Sequence, residues 1–108
     1  MRVDHCGVGR GLVRRKLAGG AIEWIPFPEQ FREGLTTFDV SPDGRYVVAE
    51  SDFRLHGLDR TTGRTWQVSD ELHRAHTSPA FSPDGRWLAF LRAGEVASQY
   101  LAVIPFVP

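Results

Sequence analysis

The chain has 108 residues, which is enough for one small hydrophobic core, and its 13 lysines and arginines balance 13 aspartates and glutamates. A formal net charge of zero creates no long-range field that would attract a polyanion, so nucleic acid is not predicted as a partner. Cys6 is the only cysteine, which excludes an intrachain disulfide framework.

The N-terminal segment, residues 1–35, is expected to form part of a repeat unit and a linker. The segments 12–17 and 22–25 predict two strands joined by the Gly-bearing hairpin turn Ala18-Gly19-Gly20. No apolar run here is long enough for a signal-peptide core or a membrane span. As written, the chain is expected to be cytoplasmic, although a longer parent protein could be periplasmic.

An internal repeat marks the rest of the chain. The string Ser-Pro-Asp-Gly-Arg occupies residues 41–45 and recurs 41 positions later, at residues 82–86. Proline presets φ at the second turn position, aspartate can bond the nearby backbone, and glycine can adopt a left-handed conformation. The string therefore predicts a tight structural turn between two strands. The residues assigned to this turn are Ser41, Pro42, Asp43, Gly44, Ser82, Pro83, Asp84 and Gly85.

The patterns around these turns predict further strands. Residues 46–49 and 87–91 are unbroken apolar runs, which indicate strands buried on both faces, whereas residues 65–69 alternate like an outer strand with one wet face. We predict nine strands. Two lie in the N-terminal segment, four in a complete unit at 36–77 and three in an incomplete unit at 78–108. The tryptophans of these strands, Trp66 and Trp87, are expected to pack between units.

The string Phe-Ser-Pro-Asp-Gly-Arg-Trp-Leu-Ala-Phe at residues 81–90 resembles the repeat signature of TolB-like β-propellers, which are relatives of the WD-repeat propellers. The resemblance implies an all-β partial propeller with about two four-stranded antiparallel blades plus part-blades. A ring needs at least four blades. The chain is therefore expected to be a fragment of a larger propeller, or to complete a ring as a homo-oligomer.

Candidate partner contacts lie on two predicted connections between strands. Asp52 and Arg54 fall on one connection, and His73, Arg74 and His76 fall on the other, a polar loop. Two histidines three residues apart could share a metal, but such pairs are more often ordinary loop residues, so no metal site is predicted. The aspartate and arginine of the first connection could instead pair weakly with each other.

No complete catalytic set is predicted, because Ser78 near His76 lacks an orienting acid and a G-x-S-x-G elbow. We therefore predict a non-enzymatic protein-binding or scaffold module without a cofactor. Its expected contacts are a protein partner or the remaining propeller blades. The alternative, which the resemblance also implies, is the propeller portion of an oligopeptidase-like serine hydrolase or an oligogalacturonate-type polysaccharide lyase, with most catalytic residues outside this chain.

Overall fold

The described part of the chain contains strands and turns and no helix. A computed structural model describes residues 2–5, 10–15, 22–26, 35–69, 74–94 and 98–108, and within these ranges it describes side chains from residue 37 onward. The strands are β1 (Arg2–His5), β2 (Arg10–Arg15), β3 (Ile22–Pro26), β4 (Leu35–Val40), β5 (Tyr46–Ser51), β6 (Arg54–Asp59), β7 (Thr65–Ser69), β8 (His76–Phe81), β9 (Trp87–Ala93) and β10 (Gln99–Pro105).

The strands form three antiparallel sheets in which neighbours along the chain are also neighbours in the sheet. The N-terminal sheet contains β1 to β3, the central sheet contains β4 to β7, and the C-terminal sheet contains β8 to β10. This arrangement follows from the short turns, since a tight turn can join only antiparallel strands. The predicted all-β class is therefore confirmed.

The N-terminal sheet has one strand more than the sequence predicted. β1 pairs with β2, with Val3 opposite Leu12, so the described residues contain ten strands instead of nine. The pattern missed β1 because it is short and three of its four residues are polar. β2 lies two residues before its predicted range, and the predicted turn at residues 18–20 lies outside the described residues.

The two Ser-Pro-Asp-Gly-Arg turns have the same hydrogen-bond network. In the first turn, the Asp43 carboxylate accepts bonds from the Ser41 hydroxyl at 2.6 Å and from the Arg45 amide at 3.0 Å. The Tyr46 amide donates to the Ser41 hydroxyl at 3.0 Å. The corresponding bonds among residues 82–87 measure 2.6, 3.0 and 3.0 Å. The repeated string therefore builds the same local structure twice.

The last turn position requires glycine in both copies. Gly44 and Gly85 have φ angles of 78° and 75°, the left-handed conformation expected from the sequence. The bonds from the serine hydroxyl and the following backbone amides lower the pKa of Asp43 and of Asp84, because they stabilise the charged carboxylates. Each turn is therefore held by an ionised aspartate as well as by its backbone.

Strand β5 of the central sheet is buried on both faces, as its apolar run predicted. Residues 47–49 of β5 are fully buried, although successive side chains of a strand point to opposite faces. Val48 and Leu55 on one face form a core cluster with Leu88 and Phe90 of the C-terminal sheet. Burial of an aliphatic side chain of this size contributes about 1.5–3 kcal/mol. This contact therefore holds the two sheets together.

The C-terminal sheet is covered on one face only. Leu88 and Phe90 face the central sheet, whereas Trp87, Leu101 and Val103 on the other face are 47%, 71% and 56% exposed. The prediction that β9 is buried on both faces is therefore wrong, and so is the predicted packing of Trp87 between units. The physical reason is that no sheet of the described residues lies against this face.

Aromatic rings fill the junction between the central and C-terminal sheets. The ring centroid of Phe106, directly after β10, lies 5.5 Å from that of Tyr46, 6.1 Å from that of Trp66 and 4.8 Å from that of Phe81. Near-perpendicular and tilted contacts at these distances are favourable for aromatic pairs. Trp66 therefore packs between two sheets, as predicted.

Hydrogen bonds also join the first strands of these two sheets, β4 and β8. The Ser78 amide donates to Thr37 Oγ1 at 3.1 Å, and the Phe81 amide donates to Asp39 Oδ2 at 2.7 Å. Both strands have a bulge near this contact. Because a bulge takes backbone groups out of the strand ladder, an amide becomes free to bond the neighbouring sheet.

Candidate functional site

The predicted partner contacts meet at one end of the sheets. This loop end carries the β5–β6 turn, the segment before β8 and the residues after β9, whereas the opposite turn end carries the two repeated turns. Asp52, Arg54 and Arg74 lie at the loop end, together with the backbone of His76. His73 lies outside the described residues.

Two arginines connect separate chain segments at the loop end. Arg54 Nη1 donates to the carbonyl oxygens of Phe53 and Arg74, at 3.2 Å in each case. Arg74 Nη1 in turn donates to the carbonyl oxygen of Ala93 at 3.1 Å. Hydrogen bonds from an ionised donor are stronger than neutral ones. The two positive charges are therefore held in place by backbone carbonyls from three chain segments, which are the β5–β6 turn, the segment before β8 and the end of β9.

The β5–β6 turn presents an acidic and an aromatic side chain. Asp52 and Phe53 have φ angles of 53° and 60°, as in the left-handed two-residue turns that match the twist of a hairpin. The Phe53 side chain is 57% exposed, while its carbonyl oxygen accepts bonds from Arg54 and from the His76 amide. The sequence patterns did not predict Phe53 as a contact residue. The feature that could have identified Phe53 is the short connection between β5 and β6. Two residues can form only a tight turn, and such a turn points both side chains outward.

The prediction that His76 lies on a surface loop is wrong. It is the first residue of β8 and only 4% exposed. Its Nδ1 lies 2.7 Å from Ser69 Oγ, and its ring centroid lies 4.8 Å from that of Phe90. The imidazole belongs to the core between the central and C-terminal sheets because a hydroxyl satisfies its polar edge there. It therefore offers a docking partner no surface.

Another histidine, His56, lies near Arg54. Burial lowers the pKa of His56, and the positive charge of Arg54 lowers it further, against a hydrogen bond with the Ser51 backbone. His56 is therefore neutral at pH 7 and adds no charge to the loop end. No group of three or more His, Cys, Asp or Glu side chains within the described ranges is placed to hold a metal ion.

The turn end also has charged side chains, but they serve the structure. Arg45 Nε and Nη2 bond the two carboxylate oxygens of Asp59 at 3.1 and 2.9 Å, which holds the pKa of Asp59 well below its usual range. An open cleft separates the two repeated turns. Its carboxylates, Asp43 and Asp84, already accept the turn hydrogen bonds. The loop end is therefore the better candidate for recognition.

No protein-family model matches this sequence, and a search of curated proteins also finds no match. Where the structure is described, no helix is long and apolar enough to cross a membrane. The candidate site therefore stands on the geometry of the loop end.

Proposed function

We propose that the chain is a non-enzymatic protein-binding or scaffold module of TolB-like propeller repeats within a larger propeller. The observation that supports this best is the shared arrangement of the central and C-terminal sheets. They have the same turn network and bulged first strands that are joined directly, and one face of the central sheet stacks on the opposite face of the C-terminal sheet. Propeller blades likewise repeat a sheet and pack face to face around an axis.

In this proposal, three sheets are too few for a ring, since a propeller has at least four blades. The remaining blades come from a longer parent protein or from further copies of this chain. Size-exclusion chromatography with light scattering distinguishes these sources. A monomer at micromolar concentration would exclude assembly from copies.

The proposed partner docks at the loop end. Arginine and aromatic side chains contribute strongly at protein interfaces, and Arg54, Arg74 and Phe53 are of these types. The arginines are already held by backbone carbonyls, which reduces the entropy lost on binding. Such a surface fits an acidic segment that also carries an apolar residue for Phe53.

A peptide-binding measurement tests this proposal. The probe is a short fluorescent peptide of alternating glutamate and leucine, followed by fluorescence anisotropy at low salt. We expect the Arg54→Ala/Arg74→Ala variant to bind about tenfold more weakly, which corresponds to about 1.4 kcal/mol. Added salt should weaken binding to the unsubstituted chain, because the attraction is electrostatic.

The matched control is Arg60→Ala/Arg64→Ala at the turn end. It removes the same charge from two arginines that also make local contacts, one with the Gly44 carbonyl and one with the Trp66 ring. This control should bind the peptide almost normally. Equal losses in both variants, or no binding by the unsubstituted chain, would contradict the assignment of the loop end. Thermal melts identify any variant that fails to fold.

A further inference from the structure

The uncovered face of the C-terminal sheet, here called the outer face, has no charged residue on strands β9 and β10. Strand pairing places β9 and β10 residues on it together, and these are Trp87, Ala89, Leu91, Leu101, Val103 and Pro105. The exposed fractions of Leu101, Val103 and Trp87 are 71%, 56% and 47%. Contiguous exposed apolar surface of this kind marks an interaction site in soluble proteins.

The repeat identifies the corresponding positions in the central sheet. The Arg60 amide donates to the Arg45 carbonyl at 2.8 Å, and the Phe106 amide makes the same 2.8 Å bond with the Arg86 carbonyl. Arg60 and Phe106 are therefore equivalent. Counting back along β6 and β10 from these residues, Leu101 occupies the position of Leu55.

These equivalent leucines differ completely in exposure. Leu55 is 0% exposed, because the next sheet covers it with Leu88 and Phe90. Leu101 is 71% exposed, because no described sheet covers the outer face. The covered position therefore shows what kind of surface fits the uncovered one.

We propose that the outer face docks another antiparallel sheet of the same repeat within one longer polypeptide, not a second copy of the chain, and that this sheet presents two apolar side chains as Leu88 and Phe90 do. This inference rests on the repeat architecture of the proposed function, but not on partner binding at the loop end. Aligned packing of two sheets buries flat apolar faces of this type.

The edge of β10 supports the same occupant. In the central sheet, β6 pairs with β7 along its outer edge, whereas the described residues place no strand beside the equivalent edge of β10. An open edge accepts an extended segment by strand pairing. A further stretch of the repeat supplies both missing parts. A fourth strand, equivalent to β7, pairs with β10, and the sheet that follows it covers the outer face.

An extended chain tests the proposal. It consists of residues 1–105 followed by a second copy of residues 60–108, joined where Arg60 and Phe106 are equivalent. The appended copy carries Trp66→Thr and also Arg60→Phe, which keeps at the sheet junction the ring that Phe106 supplies in the original chain. Trp66 is replaced because Val103 takes the place of Gly57 in the new strand pair. A β-carbon at Gly57 would lie 2.6 Å from the Trp66 ring, so a valine side chain there would clash with a tryptophan.

The readout is thiol labelling by iodoacetamide. Leu101→Cys is introduced in a Cys6→Ser background, in both the original and the extended chain. We expect labelling to be at least about tenfold slower in the extended chain, because burial removes the thiol from the reagent. Thr61→Cys, in the first copy only, is the matched control. Its turn remains exposed, and its labelling rate should be the same in both chains.

A charge in the appended copy sharpens the test. Leu88→Asp in that copy should restore fast labelling of the thiol at position 101, because an aspartate cannot pack on the outer face. Equal labelling of the original and extended chains would overturn the proposal. An extension that stays unfolded by circular dichroism would also count against it.

Protection already present in the original chain and lost on dilution would assign the face to contact between two copies, and would also overturn the proposal. None of these outcomes depends on the peptide measurement at the loop end. Failure of this inference is therefore distinguishable from failure of the proposed function.

Discussion

The central and C-terminal sheets begin with the same turn but differ in how they are buried. Strand β5 is buried along almost its whole length, whereas the equivalent strand β9 is buried only at Leu88 and Phe90. The turn hydrogen bonds are nevertheless the same in both sheets. Turn geometry is therefore local to five residues, while burial depends on whether a neighbouring sheet is present on each face.

The largest expected effect is the difference in the free energy of unfolding between alanine variants of the two equivalent leucines, Leu55 and Leu101. Leu55→Ala should destabilise the chain by about 2–5 kcal/mol, because it leaves a cavity in the core cluster. Leu101→Ala should change the free energy of unfolding by less than about 0.5 kcal/mol, since its side chain is exposed. Urea denaturation of both variants measures the difference. Similar losses would show that the outer face is covered in solution.

The turn glycines should respond alike in the two sheets. Gly85→Val should cost about 1 kcal/mol or more, because a β-branched residue resists a positive φ. Gly44→Val should cost a similar amount, although a β-carbon there meets no atom within 4 Å, while one at Gly85 meets Pro42 at 3.4 Å. Thermal melts measure both. A neutral result at either position would refute a purely backbone cause.

The Arg45–Asp59 pair, which lies in the central sheet, should make the stability of the chain decrease in acid. The folded-state pKa of Asp59 is below that of the unfolded chain, so the pair contributes stability above pH of about 4, and this is lost as the pH falls through the folded value. Asp59→Asn should therefore lower the melting temperature at pH 7. The melting temperature of this variant should also fall less than that of the unsubstituted chain when the pH is lowered below 5.

The matched change in the C-terminal sheet is Pro105→Asp. Pro105 occupies the position of Asp59, so the substitution places a carboxylate opposite Arg86. We expect a gain in melting temperature at pH 7 that is smaller than the loss caused by Asp59→Asn, because position 105 is exposed whereas Asp59 is buried, so solvent screens the new pair more. A decrease at every pH would show that the proline ring, not the missing charge, matters there.

The smallest effect should come from His56, whose equivalent in the C-terminal sheet is Ala102. Burial lowers the folded-state pKa of His56, so the unfolded chain takes up its proton first. The stability that the chain gains from keeping His56 neutral is therefore complete above pH of about 6.5 and decreases as the pH falls below that value. His56→Gln should reduce the loss of melting temperature between pH 7.5 and pH 5.5. An unchanged loss would assign it to other groups.

Local chemistry made the central sheet predictable. The strands around residues 41–45 follow from apolar runs and from turn residues that act within a few positions of one another. The N-terminal strand β1 did not follow, because its polar residues become a strand only through pairing with β2. Single-face burial of β9 was also unpredictable, since an apolar run does not reveal which neighbours are present.

A strand before the second repeated turn was predicted, but the start of β8 at His76 was hidden by its own sequence. Pro79 lies inside the strand, and Ser78 has a φ of 55°, both of which normally indicate a loop. The bulge between Thr77 and Ala80 accommodates them, because bulged residues leave the hydrogen-bond ladder. His76 was consequently expected on the surface, and its burial depends on the distant Ser69 hydroxyl.

The candidate site was partly predictable for the same reason. Asp52, Arg54 and Arg74 were expected on connections, and the structure brings these connections together at one end. Their meeting depends on how two hairpins stack, which no local pattern contains. Phe53 was missed because an aromatic residue next to a strand is normally read as part of that strand.

The connections at the loop end differ in length between equivalent hairpins. Two residues join β5 to β6, whereas five positions, 94–98, separate β9 from β10. The flanking strands nevertheless pair in the same way, and lengthening a flexible surface loop costs only about 0.6 kcal/mol per doubling. A foreign epitope or affinity tag grafted between residues 93 and 99 should thus be displayed without disturbing the fold beneath it.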